Sequence, residues 1–283
     1  GYRDQTSIVS GYLRDSAGTG LPDLDLEFYF DGMYMGNFTT QNLGLYSFDF
    51  LVPKDTSLGS HRISVFFQGS NFYVESDNSQ DSDILASTDF NFLDIEVFRN
   101  QEFLLKSNLI DDLGNPMFNQ HINLTFNGKK YHLITDADGL VQQNITLPSN
   151  FKLGNYVAKW DYSGFEYYLP SNNQQNIRVL ASTNIVLFSD SEVIVGETFS
   201  FNGTLNDDMG NPLKATLSFS FGGSLIETIE SNSNGYFENT YLVPNESIAG
   251  PNTIVITYVP DEFYLSSTSS WVLQVSHNIR IEL

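Results

Sequence analysis

Cysteine is absent from the 283 residues. That excludes disulfide staples, thiolate metal ligands and a thiol nucleophile. Positive charge is also scarce. Thirteen Lys and Arg stand against 34 Asp and Glu, a formal net charge of −21, which argues against binding a phosphate backbone. No run of about 18 apolar residues occurs, so nothing reads as a membrane-spanning helix. No signal peptide stands at Gly1, and a mature, processed chain starting there would look the same. The four histidines, His61, His121, His132 and His277, lack HExxH spacing and read as solvated or strand-surface residues. No G-x-S-x-G elbow supports a hydrolase.

What is present is enough apolar mass for two or three domains: 41% hydrophobic residues, including 23 Phe and 15 Tyr. It is arranged as a triplication. Leu13, Leu109 and Leu205 recur at a step of 96, as do Asp15, Asp111 and Asp207, and Gly18, Gly114 and Gly210. Gly44, Gly139 and Gly235 follow, then Gly59, Gly154 and Gly250, then Tyr73, Tyr168 and Tyr264, at steps of 95 and 96. Leu85-Ala86-Ser87-Thr88 returns literally as Leu180-Ala181-Ser182-Thr183.

Each copy reads as short alternating strands between turn signals, the pattern of a β-sandwich. In copy three Ile185 and Leu187 mark a first strand, A. Phe199, Phe201, Gly203 and Leu205 mark strand B, and Leu217, Phe219 and Phe221 mark strand C. Gly222-Gly223 turns a hairpin into a strand at Leu225, Glu227 and Ile229. Further strands follow at Tyr236-Phe237, at Ile254 to Tyr258 and at Trp271 to Val275, giving seven. The expected boundaries are residues 1–87, 88–182 and 183–275, with 276–283 left over. Linkers this short predict a stiff rod.

Several phrases carry a family resemblance. They are Asn202-Gly203-Thr204-Leu205-Asn206-Asp207 with Gly210-Asn211-Pro212, Asp138-Gly139 with Pro148 and Gly154, and Phe263-Tyr264-Leu265-Ser266-Ser267. With them the repeat resembles the Ig-like repeats of bacterial and archaeal cell-surface proteins. The resemblance implies an all-β chain of three tandem Ig-like sandwiches, an extracellular or cell-surface setting, and a stalk, adhesin, surface layer or pilus rather than an enzyme. Its motifs are turns and core aromatics, which specify a fold better than a function.

One strand is out of place. Strand A is Phe90-x-Phe92 in copy two and Ile185-x-Leu187 in copy three, while copy one begins beyond it, since Tyr2 aligns with Phe98 and Ile194. Past copy three stands Ile279-x-Ile281, with Leu283 continuing the alternation. Copy one therefore lacks its strand A, and the C-terminus reads as an orphan strand A. Two readings follow. In one, residues 277–283 complete the open edge of copy one in the next subunit, making a head-to-tail homopolymer with Ile279, Ile281, Leu283, Tyr2 and Ile8 at the subunit interface. In the other, the chain is a fragment of a long stalk or adhesin, with a possible glycan or protein ligand. An accessory spacer of a secreted enzyme is a third possibility.

Site chemistry is sparse, and no cofactor is expected. Calcium has weak candidate ligands in Asp111, Asp112, Asp136, Asp138, Asp207 and Asp208. The loop at Asp136 lacks the glutamate an EF-type loop needs, because Leu147 stands there. Asn42, Asn232 and Asn234 in the matching turns favour turn chemistry. Five sequons, at Asn37, Asn123, Asn144, Asn202 and Asn245, permit N-glycosylation. Aromatic platforms could bind glycans; Tyr34, Tyr46 and Tyr131 are the candidates for exposure, but nothing in the sequence groups them.

Overall fold

The computed structural model describes residues 1–282. Among these residues there is no α-helix. Repeat 1 holds β1 (Thr6–Tyr12), β2 (Asp25–Phe30), β3 (Met33–Thr39), β4 (Leu45–Leu51), β5 (Gly59–Phe67) and β6 (Ser76–Ile84). Repeat 2 holds β7 (Thr88–Asn91), β8 (Ile95–Phe98), β9 (Glu102–Asp111), β10 (His121–Phe126), β11 (Lys129–Ile134), β12 (Leu140–Thr146), β13 (Gly154–Tyr162) and β14 (Ser171–Leu180). Repeat 3 holds β15 (Thr183–Ser189), β16 (Glu192–Ile194), β17 (Thr198–Asp207), β18 (Thr216–Phe221), β19 (Ser224–Glu230), β20 (Tyr236–Leu242), β21 (Gly250–Tyr258) and β22 (Ser267–Ser276).

The described chain divides into two compact units. One holds Gly1–Leu93, Lys106–Gln143 and Ala158–Gln175; the other holds Asp94–Leu105, Asn144–Val157 and the residues from Asn176 on. The first contains repeat 1 whole and the second contains repeat 3 whole.

Repeat 3 is a sandwich of two sheets, β15-β17-β20 and β16-β22-β21-β18-β19. It alternates as a half-buried strand should. In β17 the buried positions are Phe199, Phe201, Gly203, Leu205 and Asp207. Phe201, Phe219, Ile254, Ile256 and Leu273 meet at its centre, none more than 1% exposed. The first strand departs from the seven-strand expectation. β15 pairs antiparallel with β17, Ile185 opposite Leu205. The chain then crosses to the other sheet, where β16 pairs parallel with β22, Val193 opposite Val275. Asp190 anchors the crossing, its Oδ2 accepting the Ser200 amide at 2.7 Å. The repeat thus has eight strands, because one strand edges both sheets in turn. The three residues of β16 are too few to leave an alternating pattern.

Repeat 1 has the same plan without that strand. Its sheets are β1-β4 and β3-β2-β5-β6, and only Tyr2, bridged parallel to Leu85, stands for the missing segment. On that side the core is less covered. Val9, Leu13, Ile63 and Val65 are only half-buried in repeat 1, whereas their counterparts Phe201, Leu205, Ile254 and Ile256 are at most 1% exposed.

The turn glycines recur for a steric reason. Gly44, Gly139 and Gly235 all have φ of +70°. An added Cβ would lie 2.1, 2.5 and 2.4 Å from the carbonyl oxygens of Leu13, Leu109 and Leu205. Only glycine takes this left-handed conformation without cost, and here nothing larger fits.

Candidate docking surface and repeat junctions

The linker between repeats 1 and 2 is short and is bonded to a loop of repeat 2. The Ala86 amide donates to Tyr167 O and its carbonyl accepts from the Leu169 amide, each at 2.9 Å. Thr88 Oγ1 donates to Leu169 O at 2.9 Å and lies 2.8 Å from Ser171 Oγ. The linker between repeats 2 and 3 repeats the set. Ala181 N donates to Phe263 O at 3.0 Å, Leu265 N to Ala181 O at 2.9 Å, and Thr183 Oγ1 to Leu265 O at 2.9 Å. The literal recurrence of Leu-Ala-Ser-Thr has its cause here. Both alanines are fully buried, and the threonine hydroxyl closes the last carbonyl of the loop that receives the linker.

An arginine joins each junction. Arg3 donates from Nε to Asp112 Oδ2 at 3.1 Å and from Nη2 to Asp111 Oδ2 at 3.3 Å, with Nη2 also against Asp112 Oδ1. Arg99 donates from Nε to both oxygens of Asp208, at 2.8 and 3.0 Å, and from Nη2 to Asp207 Oδ2 at 2.6 Å and to Asp208 Oδ1. Such forked, charge-assisted bonds are the strong class. Both guanidinium side chains are 8% exposed. Asp208 raises the Arg99 pKa above its ordinary value against the opposing effect of burial, and Asp207 adds to the rise. Burial pushes the Asp207 carboxyl up, but bonds from Asn211, Arg99 and the Met209 amide outweigh it, and the group sits below the ordinary carboxylate value.

Four of the six candidate calcium ligands are therefore engaged by arginine. Asp111 and Asp207 also hold their own turns, accepting the Asn115 and Asn211 amides at 2.8 Å. Asp136 caps a hairpin turn, accepting the Asp138 and Leu140 amides, each at 2.9 Å. Among the described residues no group of three or more metal-ligating side chains forms. The sequence reading missed both arginines. Their signal was present, since Arg3 and Arg99 are themselves 96 residues apart.

The open side of repeat 1 is a cleft of about 270 Å³ lined by Ile8, Val9, Tyr46, Ile63, Val65 and Gln80 among others. Ile8 is 69% exposed on the free edge of β1. In the same repeat the loop matching Tyr167-Tyr168-Leu169 is bare, with Phe72 90% and Val74 87% exposed. That loop already has its fold, with the Ser70 amide donating to Tyr73 O at 2.7 Å, as Phe165 N does to Tyr168 O.

Ile279 and Ile281 are 91% and 85% exposed; Leu283 lies outside the described residues. The strand ladders move their register. Val179 and Val275 stand opposite Val97 and Val193, so Ser276 matches Leu180 and Ile281 matches Ile185. The expected correspondence was two residues off, a shift that keeps the same faces.

Asn37, Asn144, Asn202 and Asn245 are exposed, while Asn123 is half-buried and bonded to His132 at 2.6 Å. Tyr34 is exposed, Tyr131 is half-buried, and so is Tyr46, which lies over Gly11. His61 is not a surface residue. It is 7% exposed, stacked on Phe30, and held between Asp31 and Ser57 O at 2.5 and 2.7 Å.

No protein-family model matches the chain, and no curated protein matches it. Among solved structures, a fragment of the ICAM-5 ectodomain is 9% identical, with a TM-score of 0.48 over 98% of this chain and 75% of that one. A tetra-tandem repeat from the extending region of a large adhesion protein is 13% identical, with a TM-score of 0.32 over 96% and 74%. A Ca2+-stabilized adhesin with which an Antarctic bacterium binds ice is 12% identical, with a TM-score of 0.28 over 97% and 70%. No functional conclusion follows from likenesses at this level.

Proposed function

We propose that the chain is a structural length of an extracellular stalk or adhesin, non-enzymatic and built to carry load from repeat to repeat. The observation that carries this is the duplication of the junction. The same main-chain bonds, the same threonine hydroxyl and the same arginine against an acidic pair occur twice, 95 or 96 residues apart. The high negative charge suits solubility at a crowded surface. Single-molecule stretching of the full chain tests the reading. The expected record is three separate unfolding events, each releasing roughly 300 Å at about 3.4 Å per residue. One all-or-none event would overturn it.

A second reading is favoured by the open cleft of repeat 1 and the exposed Ile279 and Ile281. In it, the C-terminal strand of one copy fills the strand-A place of repeat 1 in the next, giving a head-to-tail filament. Each buried apolar side chain contributes about 1.5–3 kcal/mol and each ladder hydrogen bond about 1 kcal/mol. Association entropy opposes this with about 4–15 kcal/mol, so the strand needs neighbouring contacts to hold. Negative-stain microscopy of the full chain beside one truncated after Ser276 separates the readings. Filaments from the first and none from the second support the filament; single particles from both leave the stalk alone.

A further inference from the structure

Repeat 3 does not carry the arginine. Val195 holds the backbone place of Arg99, its amide donating to Ser276 O at 2.9 Å as the Arg99 amide does to Leu180 O at 3.3 Å. Repeat 1 does not carry the acidic pair. Asp15 keeps the turn, accepting the Ala17 and Thr19 amides at 2.9 and 2.8 Å, but Ser16 stands where the other repeats have Asp112 and Asp208. The two substitutions fall on the two halves of one junction, the one that would form between repeat 3 and a following repeat 1.

We propose that this pairing is an order code, and that the outer face of repeat 1 (Asp15, Ser16 and the exposed loop Phe72-Tyr73-Val74) is the docking surface for repeat 3 of a second copy of this chain. The proposal rests on the head-to-tail reading above and says which ends that reading joins. The acidic faces of repeats 2 and 3 need a guanidinium. Set against Val195, Asp111-Asp112 or Asp207-Asp208 would lose water and gain no cation, a penalty larger than the worth of the ion pair itself. Ser16 removes one of the two charges, so repeat 1 is the one face of the three that Val195 meets at low cost. The wrong orders, repeat 3 on repeat 2 or on another repeat 3, are disfavoured by an unpaired carboxylate pair rather than by missing contacts. The outer junction is not a third copy of the inner ones, since by ladder register His277 stands where Ala86 and Ala181 are buried.

The test uses the full chain in sedimentation velocity across a concentration series, with circular dichroism to verify folding. Ser16→Asp recreates the acidic pair opposite Val195 and is expected to weaken self-association about tenfold. Val195→Arg added to it is expected to restore association to at least the unsubstituted level, as a charge-matched junction. Neither Ser16 nor Val195 lines the cleft; because Val195 packs in part against the repeat 3 core, Val195→Arg alone is measured beside the double variant as the control for folding and association. Association that is indifferent to Ser16→Asp, or is not restored by Val195→Arg, overturns the order code and leaves the head-to-tail reading standing. A full chain that does not associate overturns both.

Discussion

Arg99 holds Asp207 at 2.6 Å while its Nε spans both oxygens of Asp208, so one guanidinium from repeat 2 closes two carboxylates of repeat 3. Removing it leaves two acidic groups facing each other, with Asp207 5% exposed. Arg99→Ala is expected to destabilise repeat 3 by about 1.5–3 kcal/mol, the worth of a charge-assisted bond. Arg3→Ala should cost less, because Arg3 reaches Asp111 only at 3.3 Å. Urea unfolding of the two variants, side by side, checks the order.

Acid should loosen the same junction. The folded-state pKa of Asp207 lies below its unfolded value. Its contribution is therefore complete above the ordinary carboxylate range and fades as pH falls below about 4 through the lower folded value. The urea midpoint of the unsubstituted chain should drop as pH falls below about 4. Asp207→Asn should flatten that part of the profile; an unchanged slope would assign the acid sensitivity to other carboxylates.

Repeat 1 should be the weakest of the three. Val9, Leu13, Ile63 and Val65 retain water contact that their counterparts in repeat 3 have lost. Local opening scales inversely with such burial. Hydrogen exchange is expected to be faster in β1 and β5 than in β17 and β21. Equal protection would mean that the cleft is closed in solution.

The turn glycines differ sharply in what an alanine would meet. At Gly235, with φ of +70°, the new Cβ would sit 2.4 Å from Leu205 O; at Gly210, with φ of +80°, nothing lies within 4 Å. Gly210→Ala should cost about 1–2 kcal/mol for the left-handed backbone alone. Gly235→Ala should cost that and the clash as well, about 3 kcal/mol or more. Thermal denaturation of the two variants measures the difference.

Much of this protein was written in the order of its residues. The 96-residue step, the alternation through Phe199, Phe201 and Leu205, and the Asp-Gly and Asn-Gly turns determined three all-β repeats, because a strand's period and a turn's need for positive φ are local. That Tyr2 aligns with Phe98 and Ile194 was legible the same way, by counting. What only the tertiary structure decided was long-range. β16 pairs with β22 across 82 residues, too short to show in sequence. His61 is buried because Phe30 and Asp31, thirty residues away, close over it. Four of the aspartates weighed for calcium, Asp111, Asp112, Asp207 and Asp208, meet arginines 108 and 109 residues distant. A carboxylate reads alike beside a metal or a guanidinium, and only the folded chain places its partner.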